Sequence, residues 1–207
     1  MRKVKEEVTL EWVTPDAACQ IERAGRTCYK SEDKITQESA EKFCRRLLDD
    51  RHDAMIEHAC ASMRFVCDRG VSHEVVRHRL FSFGQESTRY CNYSKAKFGA
   101  AITVIQPPCA TVKGSIIWHE AMEAAEKFYF KMLDYGESPQ IARSVLPNSL
   151  KTEIVVTGNM REWRHFFKLR LAKDAHPQMR IVAGMAFAIF ERFVPCLSEG
   201  LVDYDRE

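Results

Sequence analysis

Arginines cluster around a histidine near the middle of the chain. Arg77-His78-Arg79 is followed after seven residues by Ser87, and Arg89 comes two residues later. Arginine is almost never fully buried without a partner, and its guanidinium group suits phosphate and carboxylate ligands. The segment is therefore predicted to bind anions. On a helix, Arg77 and Arg79 would point to nearly opposite sides, which favours two separate anionic groups over one shared phosphate.

Each of these residues also has a simpler interpretation. A cluster of exposed arginines is often only a set of surface salt bridges. Ser87 lacks the G-x-S-x-G context of an acyl-transfer nucleophile and is interpreted as a ligand-binding hydroxyl. The spacings of His52 to His58 and of His73 to His78 do not match the i,i+4 pair of a helical zinc site. No metal is expected.

Composition narrows the class of protein. The chain has 207 residues, a formal net charge of +2 and an isoelectric point near 8.1. One domain covering residues 1–207 is expected, and the small net charge argues against nucleic-acid or membrane-surface binding. Eight cysteines without a CxxC pair suggest reduced thiols, and the N-terminus lacks the apolar run of a signal peptide. A cytoplasmic protein without membrane contact is predicted.

Hydrophobic periodicity predicts the helices and strands that must position these side chains. The pattern predicts a helical turn after Gly70 that ends soon after Arg79, and a functional loop over residues 81–97. Asn159 and Glu162 form a capping-box start for a helix. Strands are predicted at 4–13, 61–67, 101–105 and 151–157, and helices at 17–29, 35–48, 113–135, 161–171 and from 177 onward. The fold class is α+β, a single domain with a central, mainly antiparallel sheet flanked by long helices.

Four ordered blocks resemble the flavin-dependent thymidylate synthases. The signature Arg77-His78-Arg79-x7-Ser87 is preceded by Ser72-His73-Glu74 and overlaps Gln85 to Tyr90. Ala142 to Pro147 and the segment from Asn159 to Arg170 follow in the family's order. The resemblance extends from about residue 52 to 181, and four blocks are far more specific than one triplet.

The resemblance implies a reaction and a set of ligands. Members of this family methylate dUMP to dTMP, with methylenetetrahydrofolate as carbon donor and FAD, reduced by NADPH, as hydride source. They work as homotetramers with sites at subunit interfaces, and they need no protein nucleophile. Arg170 would stabilise the negative charge that develops on the uracil ring. By position, FAD would contact Arg77, His78, Arg79, Gln85, Asn159, Arg161 and His165, and dUMP would contact Arg69, Glu74, Arg77, Gln85, Glu86, Ser87, Thr88, Arg89, Arg143 and Arg170.

One alternative function belongs to a different class. The same arginines could serve as phosphate clamps in a non-catalytic nucleotide- or RNA-binding protein. Salt-sensitive RNA binding without flavin would favour that alternative. The modest net charge and the lack of an aromatic stacking motif favour the enzyme.

Overall fold

The computed structural model describes residues 1–36 and 38–201, except for the side chain of Lys97. Its contacts divide the chain into two compact units. The first unit contains residues 1–7, 65–75 and 84–154, and the second contains residues 8–64, 76–83 and those from 155 onward. The boundary of a single domain over residues 1–207 stays a prediction.

Helices and strands alternate along the described chain. The strands are β1 (Arg2–Val4), β2 (Glu7–Val13), β3 (Cys60–Asp68), β4 (Ser82–Gln85), β5 (Thr103–Ile105) and β6 (Lys151–Asn159). The helices are α1 (Ala17–Thr27), α2 (Ser39–Asp49), α3 (Arg69–Val75), α4 (Val112–Asp134), α5 (Pro139–Ala142), α6 (Met160–Arg170), α7 (Pro177–Phe193) and α8 (Pro195–Ser198). Short 3-10 turns lie at Glu32–Lys34, Met55–His58, Ala96–Phe98 and Arg143–Val145.

Four of the strands form an antiparallel sheet in the order β2-β3-β6-β4, and β1 pairs with β5 in parallel. Every second residue of β6 is buried, which is the pattern of a strand with one face in a core. This sheet and the long helices confirm the predicted α+β class.

An aromatic core fills the second unit. Trp163, Phe166 and Phe167 of α6 are fully buried, and Phe167 packs against Phe187 and Phe190 of α7. Since large aromatic rings bury the most apolar surface per residue, this cluster fixes α6 in place. The polar residues of α6 are thereby presented on its opposite face.

In the first unit, α4 has both of its predicted ends. Thr111 accepts a hydrogen bond from the Gly114 amide at the start, and Gly136 has a positive φ just after the last turn. Tyr129 of α4 is buried in a core that also contains Tyr93, Ile102, Val104 and Leu150. No helix of residues 1–36 and 38–201 is long and apolar enough to cross a membrane.

Three predicted elements were wrong in part. The helical turn does not reach Arg79, because α3 ends at Val75 and residues 78–81 form a separate turn in which the Phe81 amide donates to the His78 carbonyl. This turn lets His78 and Phe81 both enter the aromatic core. The loop predicted over 81–97 contains strand β4, and the strand predicted over 4–13 is interrupted after Val4.

Candidate functional site

A large open cleft lies within the second unit. Its volume is about 1140 Å³, which is enough for a ligand of cofactor size. Six arginine or lysine side chains line it against three carboxylates, so the cleft favours an anionic ligand. The lining comprises Asp53, Ile56, Glu57, Arg77, His78, Arg79, Leu80, Asn159, Arg161, Glu162, Arg164, His165, Lys168, Leu169, Arg170 and Leu201.

Arg77 and Arg79 both line this cleft and are exposed. Neither residue forms an ion pair with a carboxylate in the described part of the chain. Two guanidinium groups facing one cleft can bind phosphate oxygens without first breaking an internal contact. The expectation that these arginines diverge from a helix was wrong, since they follow α3 in a turn and share a cavity.

Helix α6 carries half of the remaining cleft residues, and its start is fixed by Asn159. The Asn159 side-chain oxygen accepts a hydrogen bond of 2.9 Å from the Glu162 amide, as the capping pattern predicts. Residues 161, 165 and 168 then recur at helical spacing on one face. Arg161 forms an exposed ion pair of 2.6 Å with Glu57, so its charge is partly balanced before any ligand binds.

His78 and Arg170 are directly joined at the wall of the cleft. The Arg170 Nε–H donates a hydrogen bond of 2.9 Å to the Nε2 atom of His78. Burial, aided by the charges of Arg170 and His165, lowers the pKa of His78 from 6.5 to about 4. The His78 imidazole is therefore neutral near pH 7 and acts as an acceptor.

Arg164 has a structural role in addition to lining the cleft. Its Nη1 donates to the carbonyls of Leu197 and Glu199, which follow α7. Burial lowers the pKa of Arg164. Arg164 therefore ties α6 to the C-terminal segment.

Most of the predicted nucleotide ligands belong to the first unit. Gln85 donates from its amide nitrogen to Ser72 at 2.9 Å and to Thr152 at 3.2 Å. Glu86 accepts from the Tyr93 hydroxyl at 3.1 Å and from the Lys151 ammonium at 3.2 Å. The Gln85 amide nitrogen and both Glu86 carboxylate oxygens therefore have protein partners.

Residues 87–91 form a tight turn. The Ser87 carbonyl accepts from the amides of Tyr90 and Cys91, and its hydroxyl accepts from the Arg89 amide at 3.3 Å. Thr88 is buried and accepts a hydrogen bond of 3.2 Å from the Arg143 guanidinium. Arg89 is exposed and lies over the Tyr90 ring. The turn thus brings the Ser87 and Thr88 hydroxyls close to two arginines.

Arg69 is the most unusual of these residues. Its backbone amide donates to the carbonyls of Asn148 and Leu150, so the main chain is firmly held. Its Nη1 atom is buried and has no hydrogen-bond partner within the described residues. Leaving a charged donor buried and unpaired is costly, and an anionic ligand would supply the missing acceptor. Glu74, the other early candidate, is half-buried on α3.

The structure brings together Arg77, His78, Arg79, Asn159, Arg161, His165 and Arg170 in the cleft of the second unit. Gln85, the remaining flavin candidate, belongs to the first unit with Arg69, Glu74, Glu86, Ser87, Thr88, Arg89 and Arg143. Nine further described residues line the cleft without having been predicted as site residues, among them Asp53, Glu57, Lys168 and Leu201. Helical spacing from Arg161 and His165 could have identified Lys168, whereas no sequence signal marks the 3-10 turn of Glu57.

Known proteins resemble this chain over nearly its whole length. The family model described as "Thymidylate synthase complementing protein" matches residues 9–196. The flavin-dependent thymidylate synthase of Corynebacterium aurimucosum is 33% identical over 91% of this chain and 83% of the relative. That of Geobacter sulfurreducens is 32% identical over 89% of this chain and 86% of the relative.

The chain belongs to the flavin-dependent thymidylate synthase family. Its members are FAD-dependent methyltransferases, and this enzyme class agrees with the class that the four sequence blocks predicted. The crystal structure of a UMP/dUMP methylase, PolB from Streptomyces cacaoi, bound with 5-Br dUMP, has the same fold. Its TM-score is 0.83 at 24% identity, covering 98% of this chain and 99% of PolB.

The residues of the cleft fit the cofactor of a flavin-dependent thymidylate synthase. FAD carries two linked phosphates, which require cationic or N–H donors, and Arg77 and Arg79 provide exposed guanidinium groups there. The neutral imidazole of His78 can contact an aromatic ring without adding charge. The cleft volume of about 1140 Å³ also suits a dinucleotide better than a mononucleotide.

Proposed function

We propose that this chain methylates dUMP to dTMP, using methylenetetrahydrofolate as the carbon donor and NADPH as the reductant of its FAD. The methylene carbon of the folate would form a bond to uracil C5, the C5 proton would leave, and bound FAD would supply the hydride that completes the methyl group. Tetrahydrofolate and NADP⁺ are the other products. The proposal rests on family membership together with the composition of the cleft.

One observation supports assigning flavin binding to particular residues of this chain. All but one of the predicted flavin ligands line a single cleft, although they come from the turn after α3, from the end of β6 and from α6. Residues that are far apart in sequence have no reason to converge on a cationic cleft if they are only surface charges. Convergence is the expected result if they bind one anionic cofactor.

Arg77, His78 and Arg79 would hold the flavin together with Asn159, Arg161 and His165. Bound FAD would supply the hydride that the protein's own side chains cannot provide. Arg161 would exchange part of its contact with Glu57 for the ligand, because this ion pair is exposed and hence weak. The buried aromatic core beneath α6 would hold these side chains in fixed positions.

Arg170 would activate the pyrimidine. A nucleophilic uracil C5 requires negative charge on the N3, O2 and O4 side of the ring, and a fixed guanidinium stabilises that charge without losing a proton. Arg170 lines the cleft and is held at Nε by His78. No cysteine nucleophile is needed for this route.

The nucleotide would be bound through the first unit's donors. Arg69 offers a buried Nη1 that needs an acceptor. Ser87, Thr88 and Arg89 belong to the turn of residues 87–91, and Arg143 donates to Thr88 in that turn. Glu86 would act indirectly by holding this turn, because Tyr93 and Lys151 already bind its carboxylate. Glu74 and Gln85 would contact the nucleotide from α3 and β4. PolB, which shares the fold, was crystallised with 5-Br dUMP.

A complete site would require several copies of the chain. We infer a homotetramer whose sites lie at subunit interfaces and which works in the cytoplasm, as the sequence resemblance implies. Sedimentation of the purified protein with and without FAD would measure the assembly. A monomer that makes dTMP would contradict this part of the proposal.

Release of tritium from [5-³H]dUMP tests the function, because the C5 proton must leave before dTMP forms. We expect release that requires FAD, NADPH and methylenetetrahydrofolate, with dTMP as product. Arg170→Ala should lower turnover at least about 100-fold, the range reported for loss of one preorganised oxyanion donor. It should retain much of the FAD absorbance, and Lys168→Ala is the matched cationic control on the same helix. Near-normal turnover in Arg170→Ala would show that Arg170 does not stabilise the uracil charge.

A further inference from the structure

The contact between Arg170 and His78 fixes where the imidazole proton lies. Arginine Nε is always a donor, so the His78 Nε2 atom that faces it at 2.9 Å must accept. The ring is neutral near pH 7, as its lowered pKa requires. A neutral imidazole carries one proton, and here that proton must be on Nδ1.

Glu162 stands on the side of the ring where this proton lies. One of its carboxylate oxygens is 3.7 Å from His78 Nδ1, and the two side chains are only 6% and 3% exposed. This distance is too long for a hydrogen bond, but the attraction between the carboxylate and Nδ1–H is strengthened by burial. The Asn159 cap holds the Glu162 backbone at the first turn of α6. The charge of Glu162 therefore favours the Nδ1–H form.

Aromatic packing prevents the His78 ring from turning away. The ring centroid lies 5.0 Å from that of Phe166 and 6.1 Å from that of Phe81, and His165 packs on it at 5.8 Å. Three neighbouring rings leave little room for another rotamer in a densely packed interior. The acceptor atom consequently has a fixed direction toward the cleft.

We propose that His78 is a positioning residue for Arg170, held as the Nδ1–H tautomer by the Arg170 Nε–H donor and favoured in that form by the nearby Glu162 carboxylate, in addition to any contact that it makes with the flavin. Arginine loses considerable rotamer entropy when it is ordered, and a preformed contact at Nε provides that order before the substrate arrives. The guanidinium then reaches the pyrimidine through its Nη groups in one orientation. Its use in catalysis rests on the proposed function, whereas the tautomer and the contact do not.

The tautomer can be measured without any ligand. Selective ¹⁵N labelling of histidine in the full-length, ligand-free chain distinguishes Nδ1–H from Nε2–H by the shifts of the two ring nitrogens, and His78→Gln identifies the signal. We expect His78 as Nδ1–H near pH 7. The opposite tautomer, Nε2–H, would overturn the inference. Glu57→Gln is the matched control, since it removes another cleft carboxylate and should leave this tautomer unchanged.

Two variants of His78 separate positioning from simple packing. His78→Gln places an amide oxygen near the lost Nε2 acceptor, whereas His78→Leu fills the volume without an acceptor. The Arg170 Nε–H resonance, assigned with Arg170→Lys, should remain protected from solvent exchange in His78→Gln and lose that protection in His78→Leu. Equal protection in both variants would show that His78 does not hold Arg170.

Measurements of kcat at saturating FAD then test whether the contact between His78 and Arg170 contributes to the reaction. His78→Leu should lower kcat by about 10-fold or more relative to His78→Gln, the range for an acceptor lost from a charged donor. Glu162→Gln should shift the tautomer equilibrium toward Nε2–H and weaken protection of the Arg170 signal. If the wild-type chain makes no dTMP but shows the Nδ1–H tautomer, the proposed function fails and the contact stands. If it makes dTMP but shows Nε2–H, only the positioning role fails.

Discussion

Substitution of Gly158 tests the packing that supports the cleft. Gly158 is buried in β6, one residue before the cap of α6, and an added Cβ would overlap the Cδ1 and Cε1 atoms of Phe81. The Phe81 ring is only 6% exposed and packs against Trp163 at a centroid distance of 4.6 Å. It cannot retreat without moving the rings next to it, and one of these is His78.

The expected cost follows from this lack of space. Overpacking a filled core costs about 1–3 kcal/mol. For a chain of this length each kcal/mol corresponds to about 2–4 °C, so Gly158→Ala should lower the Tm by about 2–12 °C. Displacement of Phe81 should also move His78, which packs against it and is one of the proposed flavin ligands. FAD affinity is therefore expected to fall together with stability.

Urea unfolding at one protein concentration gives the free energy, because any self-association would otherwise contribute. Gly184→Ala is the control: apart from its chain neighbours and the backbone of its own helix, no atom of the described residues lies within 4 Å of its added Cβ, and Ala in a helix interior should add about 0.5–1 kcal/mol. Phe81→Leu in the Gly158→Ala background should recover part of the loss by making room. Strict additivity of the two substitutions, or an unchanged stability of Gly158→Ala, would refute the steric argument.

Three further predictions concern buried charge. Burial lowers the pKa of His78 from 6.5 to about 4, so the stability that its neutral form contributes is complete above pH 6.5 and is lost as the pH falls to 4. In urea titrations over this range, the wild-type protein should lose about 3 kcal/mol more unfolding free energy than His78→Gln. Equal losses would contradict the lowered pKa of His78. Glu22 is fully buried and lies 2.7 Å from Arg26, so Glu22→Ala should cost about 3–5 kcal/mol in urea unfolding; a cost below 1 kcal/mol would show that the Arg26 charge is not stranded. Arg69→Met should lower dUMP affinity about 10- to 100-fold in calorimetric titration, and unchanged affinity would mean that the unpaired Nη1 does not bind the nucleotide.

Local patterns in the sequence predict several elements well. The long helix expected over 113–135 is α4, because its start has a hydroxyl cap and its end has a glycine that takes a positive φ. The capping pair of Asn159 and Glu162 likewise gives the start of α6. Such signals act between residues that are close in sequence, so one sequence is enough to identify them.

Tertiary contacts explain where the sequence patterns fail. The chain after α3 leaves the helix so that His78 and Phe81 can join the aromatic core of α6, and a helical period over 70–79 cannot reveal that partner. Glu57 enters the cleft from a 3-10 turn and pairs with Arg161, which is 104 residues away. The hydrogen bond between His78 and Arg170 spans 92 residues. Side-chain types predicted the chemistry, but their pairing depends on the fold.

Detection of dTMP as a product is the decisive test of the proposed function. The purified chain, loaded with FAD, should convert dUMP to dTMP when both methylenetetrahydrofolate and NADPH are present, with mass spectrometry identifying the product. Omission of either co-substrate should stop product formation, and Arg170→Ala should greatly slow it. Absence of dTMP from FAD-loaded protein supplied with dUMP and both co-substrates would contradict the proposed function.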